Sequence, residues 1–209
     1  MVIEELQQNT VDNLNNPIKI SIMKKKNCLK RTAELITELL MILPNSELIE
    51  ESNFEKITGN CCIIRIHEDL TPQYILIDFE SKQIVFKIVN YKSRNDLGFT
   101  EEIADRSQLV LSKFTTDLGS KIAESLMDLF PIELESNQVV NFTTHKDFVY
   151  FRLFRFKIKI STTRIKDKKT HFQQIGPQLT LRIYRFTNIE EGEKKVQKFQ
   201  KYIKNANLL

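Results

Sequence analysis

The sequence predicts an α/β protein built from two β-α-β-β-β halves, with a helix added at the C-terminus. Two observations carry this. The segment Glu34 to Pro44 aligns with Lys121 to Pro131, each an amphipathic run closed by proline, and each is preceded by one short apolar run and followed by three more. A strand, a crossover helix and further strands make a sheet with helices on its face. The halves are expected at about 17 to 91 and 108 to 187, joined by the charged stretch Lys92 to Ser107.

In chain order, Ile18 to Ile22 reads as the first strand. The helix that follows places Leu29, Ala33, Ile36, Leu40 and Leu43 at spacings of three and four, which gives one buried stripe. A short helical turn is expected near Asn53 to Ile57, before strands at Cys61 to Ile66, Tyr74 to Phe79 and Ile84 to Val89. The second half opens with Leu109 to Leu111, and its helix shows the stripe Leu118, Ile122, Leu126, Leu129 and Phe130. Thr115, Thr116 and Asp117 are its N-cap candidates, and Pro44 and Pro131 cannot continue the helices they follow. Strands follow at Val139 to Phe142, Phe148 to Ile160 and Leu179 to Phe186. Val196, Phe199 and Ile203 beside Lys194, Lys195, Lys198, Lys201 and Lys204 predict an amphipathic basic helix from about Ile189 to Lys204, inside a C-terminal segment 188 to 209.

With 209 residues, 41% of them hydrophobic, including fourteen Phe, the chain has the material for a substantial core. No apolar run approaches a membrane span, and the N-terminus lacks the basic-then-apolar pattern of a leader, so a soluble intracellular protein is expected. Three cysteines, two of them adjacent, suggest no disulfide framework. His67, His145 and His171 are the only histidines and show no metal-ligand spacing; phosphate-loop, dinucleotide and nucleophile-elbow motifs are absent. Neither an enzyme nor a cofactor is suggested.

The charge is uneven. Between Lys146 and Arg185 stand eleven Lys/Arg against two Asp, whereas the whole chain is only +4. Positive charge concentrated on strands suggests a footprint for nucleic-acid phosphates. Along Phe148 to Ile160 one face carries Phe148, Tyr150, Arg152, Phe154, Phe156, Ile158 and Ile160. The other starts with Val149, Phe151 and Leu153 and turns basic with Arg155, Lys157 and Lys159. A polar loop is expected from Thr162 to Thr170, where Arg164, Lys166, Lys168 and Lys169 can follow a backbone of phosphates. Ile175, Gly176 and Pro177 read as a turn into a strand whose exposed face would hold Thr180, Arg182 and Tyr184, the tyrosine free to stack on an unpaired base. A second cluster, Lys24, Lys25, Lys26, Lys30 and Arg31, lies between a strand and a helix N-terminus, where backbone N–H groups assist anion binding.

An ordered set of segments resembles the Brix family of ribosome assembly factors: Pro-Ile-Lys-Ile-Ser-Ile (17 to 22), Ile-Leu-Pro-Asn-Ser (42 to 46), Lys-Phe-Thr-Thr-Asp-Leu-Gly (113 to 119), Leu-Phe-Pro (129 to 131), Asp-Phe-Val-Tyr-Phe-Arg-Leu-Phe-Arg-Phe (147 to 156) and Gln-Ile-Gly-Pro-Gln-Leu-Thr-Leu-Arg-Ile (174 to 183). The resemblance implies a duplicated fold over 17 to 187, its halves related by pseudo-symmetry and each similar to the anticodon-binding domains of some tRNA synthetases. It also implies a non-enzymatic role in the nucleolus, binding pre-rRNA of the large (60S) subunit beside ribosomal proteins and other assembly factors, among them a small companion protein, with no membrane partner. The family's RNA-associated Gly-Pro segment falls on Gly176, Pro177, Thr180, Leu181 and Arg182. The long basic N-terminal extension of relatives is not seen, so little beyond the core domain is expected. Two alternatives stand beside this: a small-subunit role in the U3 particle, and a protein-interaction scaffold whose basic strands meet acidic partners.

Overall fold

A computed structural model describes residues 18–52, 61–160, 168–190 and 193–198. Among these, two helices and ten strands form one mixed sheet with helices on a single face. The elements are β1 (Lys19–Lys24), α1 (Lys30–Ile42), β2 (Ser46–Glu50), β3 (Cys61–Glu68), β4 (Pro72–Asp78), β5 (Lys82–Lys92), β6 (Gln108–Ser112), α2 (Asp117–Met127), β7 (Gln138–His145), β8 (Phe148–Ile160), β9 (Lys168–Glu190) and β10 (Glu193–Lys198).

The strand order is β2-β1-β3-β4-β5-β9-β8-β7-β6, with β10 also on β9. From either side the pairing runs alike: β1 is parallel to β3, which is antiparallel to β4 and it to β5; β6 is parallel to β7, which is antiparallel to β8 and it to β9. The two series meet where β5 pairs antiparallel with β9, from Lys82 opposite Asn188 to Lys92 opposite Gln178. Alternation gives each strand one apolar face. Ile20, Ile64, Ile77 and Phe86 share a core with Phe142, Phe151, Leu153 and Leu181, closed by Leu35, Leu39, Ile122 and Leu126 of the helices.

α1 turns a face slightly different from the expected stripe toward the sheet. Leu35, Ile36, Leu39, Ile42 and Leu43 are buried, while Leu29 is exposed and Ala33 and Leu40 are half-buried. The rotation also buries Glu38, which accepts from the Tyr91 hydroxyl (2.7 Å) and the Arg94 N–H (2.6 Å). α2 begins as expected, with the Thr116 hydroxyl accepting from the Gly119 N–H at 3.0 Å.

Four expectations are corrected. β2 was not anticipated: Ser46 to Glu50 adds as an outer strand to β1. Residues 189–190 and 193–198 are strand rather than helix. There β9 outruns the start of β8, and its exposed backbone ladder is taken by β10, from Arg185 opposite Lys198 to Glu190 opposite Glu193. The helical spacing of apolar residues yields to that pairing; residues 199–209, like the turn expected at 53–57, lie outside the described residues. Lys168, Lys169 and Thr170 belong to strand rather than loop, paired with Ile160, Lys159 and Ile158, while 161–167, with Arg164 and Lys166, lie outside the description. Finally, Ile175-Gly176-Pro177 is no turn: it sits inside β9, buried, where the register with β8 shifts between Arg152 and Phe154.

Candidate nucleic-acid interface

β5 leaves β9 at Gln178, so the stretch of β9 from Lys168 to Gln174 pairs with β8 alone. With residues 154 to 160 it forms a two-stranded ribbon extending past the end of β5. Residues directly opposite in an antiparallel pair share a face. One set of positions is Phe154/Gln174, Phe156/Phe172 and Ile158/Thr170; the other is Arg155/Gln173, Lys157/His171 and Lys159/Lys169. The first set is aromatic, with the Phe172 ring 6.4 Å from Phe154 and 6.0 Å from Phe156. The second is basic. No Asp or Glu occurs in either strand of the ribbon.

The segment joining β5 to β6 reaches this basic side. Arg155 donates to the Glu102 carbonyl, and Gln173 Nε2 donates to Glu101 Oε1 at 2.6 Å. Lys157 remains exposed.

The Gly-Pro segment shapes the base of the ribbon. Gly176 packs on Leu153, and Arg94 Nε donates to the Ile175 carbonyl at 3.0 Å. Pro177 is buried, so neither residue presents its side chain to a ligand. Thr180 pairs with Tyr150 on the helix-free face. Arg182 donates to Asp147 at 3.1 Å and lies 5.7 Å over the Phe148 ring. Tyr184 departs from its expected exposure. It keeps the expected helix-free face but packs there in a small cluster with Leu76 and Val85, 8% exposed and edge-on to Tyr74 at 5.4 Å. It is not available for stacking in this arrangement.

The second basic cluster divides. Lys25, Lys26 and Lys30 are exposed and Lys24 half-buried. The start of α1 is already engaged, because the Leu29 N–H donates to both Glu68 oxygens, at 3.2 and 3.1 Å. Arg31 is a clasp: it holds Asp96, Glu34 (3.1 Å), the Ser93 hydroxyl (3.2 Å) and the Tyr91 carbonyl (3.1 Å), and sits 4.5 Å from the Tyr91 ring centre. The hydrogen bond from Arg31, aided by Ser93, pulls the Asp96 carboxyl down to about 2. Strand registers place Lys24 level with Ile183 of β9, four strands across the sheet and nine residues along β9 from Gln174 at the root of the ribbon, so the two basic sets are separate.

Further basic residues lie on the helix-free face, of which the sequence reading assigns only Arg152 a face. Arg65, paired with Asp78 at 2.6 Å, lines a concavity with Lys25, His67 and Arg185, and the Arg152 guanidinium lies 5.9 Å from the Tyr150 ring centre. Desolvation by burial lowers the pKa of Arg152, which donates to the Phe151 and Leu179 carbonyls. Strand alternation was the available signal, but only for Arg152 was it followed. Among the described residues no group of three His, Cys, Asp or Glu side chains is placed to hold a metal, and no helix is long and apolar enough to cross a membrane.

Comparison with known proteins adds a further line. Residues 7–185 match the Brix domain. Ribosome production factor 1 of Pongo abelii is 27% identical over 171 residues, covering 73% of this chain and 46% of that protein. A Brix domain-containing protein of Schizosaccharomyces pombe is 24% identical over 189 residues, covering 79% and 59%. The chain thus spans about half the length of the curated relatives it matches. The crystal structure of a probable ribosomal biogenesis protein from Aeropyrum pernix K1 superposes with a TM-score of 0.52 at 11% identity, covering 79% of this chain and 96% of that one, a likeness of fold.

Proposed function

The chain belongs to the Brix domain family, and on that premise we propose that it is a non-enzymatic ribosome biogenesis factor that binds pre-rRNA during assembly of the large subunit. Relatives named ribosome production factor 1 support the assembly role. The observation that carries RNA binding is the ribbon, whose basic positions face no acid of their own strands. Arg155, Lys157, Lys159, Lys168 and Lys169 contact phosphates there, with Arg164 and Lys166 of the connecting segment. Lys24, Lys25, Lys26 and Lys30 form a second, separate set of phosphate contacts. Arg31, Gly176, Pro177 and Tyr184 serve instead to hold the surface in shape, and Thr180 and Arg182 line its helix-free side.

The same reading takes 17–91 and 108–187 as two copies of one anticodon-binding-like unit, supported by the matched pairing from β1 to β5 and from β6 to β9. It places the protein in the nucleolus among other assembly factors and ribosomal proteins. Titration of purified chain with large-subunit pre-rRNA fragments at increasing salt tests the phosphate contacts. If about six phosphates are neutralised, affinity falls on the order of a thousandfold between low and physiological salt. A flat curve would reject the proposal.

A further inference from the structure

β1 and β6 occupy matching positions, each preceding a helix and each parallel to the strand after it. Their outer edges differ. β1 takes β2 in parallel along its other side, from Ile20 opposite Ser46 to Lys24 opposite Glu50, whereas among the described residues β6 pairs with β7 alone and ends the sheet. The segment that follows α2, which corresponds to β2, does not form a strand. Gln108 Nε2 holds its carbonyls at Leu134 (3.3 Å) and Ser136 (2.6 Å), and Ile132 and Leu134 are left 73% and 81% exposed.

Beside β6, on the helix-free face, runs a groove lined by Val110, Val139, Phe154, Phe156 and Phe172, with no charged side chain in its wall. Val110 is 43% and Phe172 58% exposed. An open strand edge next to exposed apolar side chains is the arrangement that soluble proteins usually block with charge, proline or a covering segment. Its neutrality sets it apart from the basic face of the ribbon and disfavours RNA.

We propose that β6 and this groove receive an extended segment of a partner protein, alternately apolar and acidic, which adds to the sheet as a strand beyond β6. The chemistry of the occupant follows from the matching edge. There the covering strand is Ser46-Glu47-Leu48-Ile49-Glu50, and Glu47 is bound by Lys19 at 2.9 Å. Exposed Lys113 and exposed Arg106, the latter in a long ion pair with Glu133 (3.8 Å), bracket β6, so acids on an incoming strand meet Lys113 at one end and compete with Glu133 for Arg106 at the other. Backbone pairing supplies the attachment, and the aromatic groove selects the apolar side chains. The inference is independent of RNA contact.

The probe is a synthetic peptide of residues 44–52 of this chain, added to the isotope-labelled full chain and followed by backbone NMR. The expected result is shifts at 108–112, 154–156 and 172, weakened about tenfold by Val110→Glu, since a charge on the edge opposes strand addition and this one also repels the acidic peptide. Phe172→Ser, at an exposed position, gives an independent loss without touching β6. A peptide with lysine in place of each glutamate is expected to bind more weakly. The absence of shifts at millimolar peptide, or shifts at β1 in place of β6, would overturn the proposal. So would sedimentation showing a dimer that Val110→Glu abolishes, which assigns the edge to a second copy, or loss of RNA binding in Phe172→Ser, which assigns the groove to RNA.

Discussion

A methyl group added at Gly176 would stand 2.4 Å from Leu153 Cβ and 2.7 Å from its Cδ2. Contact that close displaces backbone or side chain in a packed interior, and such overpacking costs about 1–3 kcal/mol. Gly176→Ala should therefore lower the denaturant midpoint, and Leu153→Ala in the same chain should cost less than the sum of the separate changes. The sequence shows the glycine but not its role, since Gly-Pro signals a turn locally and only the partner strand reveals a close approach. Asp96 makes a pH prediction. Its carboxyl is held down by Arg31, so the folded state binds its proton less readily than the unfolded chain. The stabilisation is present above the ordinary carboxylate range and fades as pH falls from about 4 toward 2. Asp96→Asn should destabilise at neutral pH, and the difference from the parent should shrink toward pH 2 in chemical denaturation. Glu38 runs the other way: burial, its largest cause, raises its pKa, so its ionisation costs stability as pH rises above the ordinary value.

At the scale of elements, legibility followed how local the cause is. The cap of α2 is a matter of four residues and was read correctly; Thr116→Ala should cost about 1 kcal/mol, measured by thermal or denaturant unfolding. The two faces of β8 were equally clear, because alternation in Phe148 to Ile160 is set by the strand itself. β10 was not legible, since helical spacing of its apolar residues competes with an open ladder on β9 that exists only after the sheet forms. Tyr184 differs for a similar reason: its face follows from alternation, but its cover comes from Tyr74, Leu76 and Val85 of other strands, which only the assembled sheet brings together. For the ribbon, Lys157→Glu with Lys159→Glu and Lys169→Glu should weaken RNA binding and flatten its salt dependence by about three contacts. Arg31→Met should instead lower stability through the lost clasp on Asp96.

Across the whole molecule, the internal repeat led to two series of strands but not to their junction. β5 and β9 meet through partners about a hundred residues apart, and no local pattern specifies that register. Their pairing makes one sheet and one core, reinforced by Lys82 of β5 donating to Asp128 beyond α2 at 2.6 Å. Unfolding should accordingly show a single cooperative transition by circular dichroism and fluorescence-independent probes such as amide exchange, with the central residues of β9 among the last to exchange. The concentration of charge is readable from composition; its placement on a two-stranded ribbon beyond the end of β5 requires the topology.

The most direct measurement is ultraviolet crosslinking of the chain to RNA in its own cells, followed by sequencing, for the parent and for the Lys157, Lys159 and Lys169 charge-reversal variant. The expected result is enrichment of large-subunit pre-rRNA by the parent and its loss in the variant at unchanged protein level. Enrichment of small-subunit precursor would reassign the particle, and absence of any enriched rRNA would contradict RNA binding and leave the basic ribbon to an acidic protein partner.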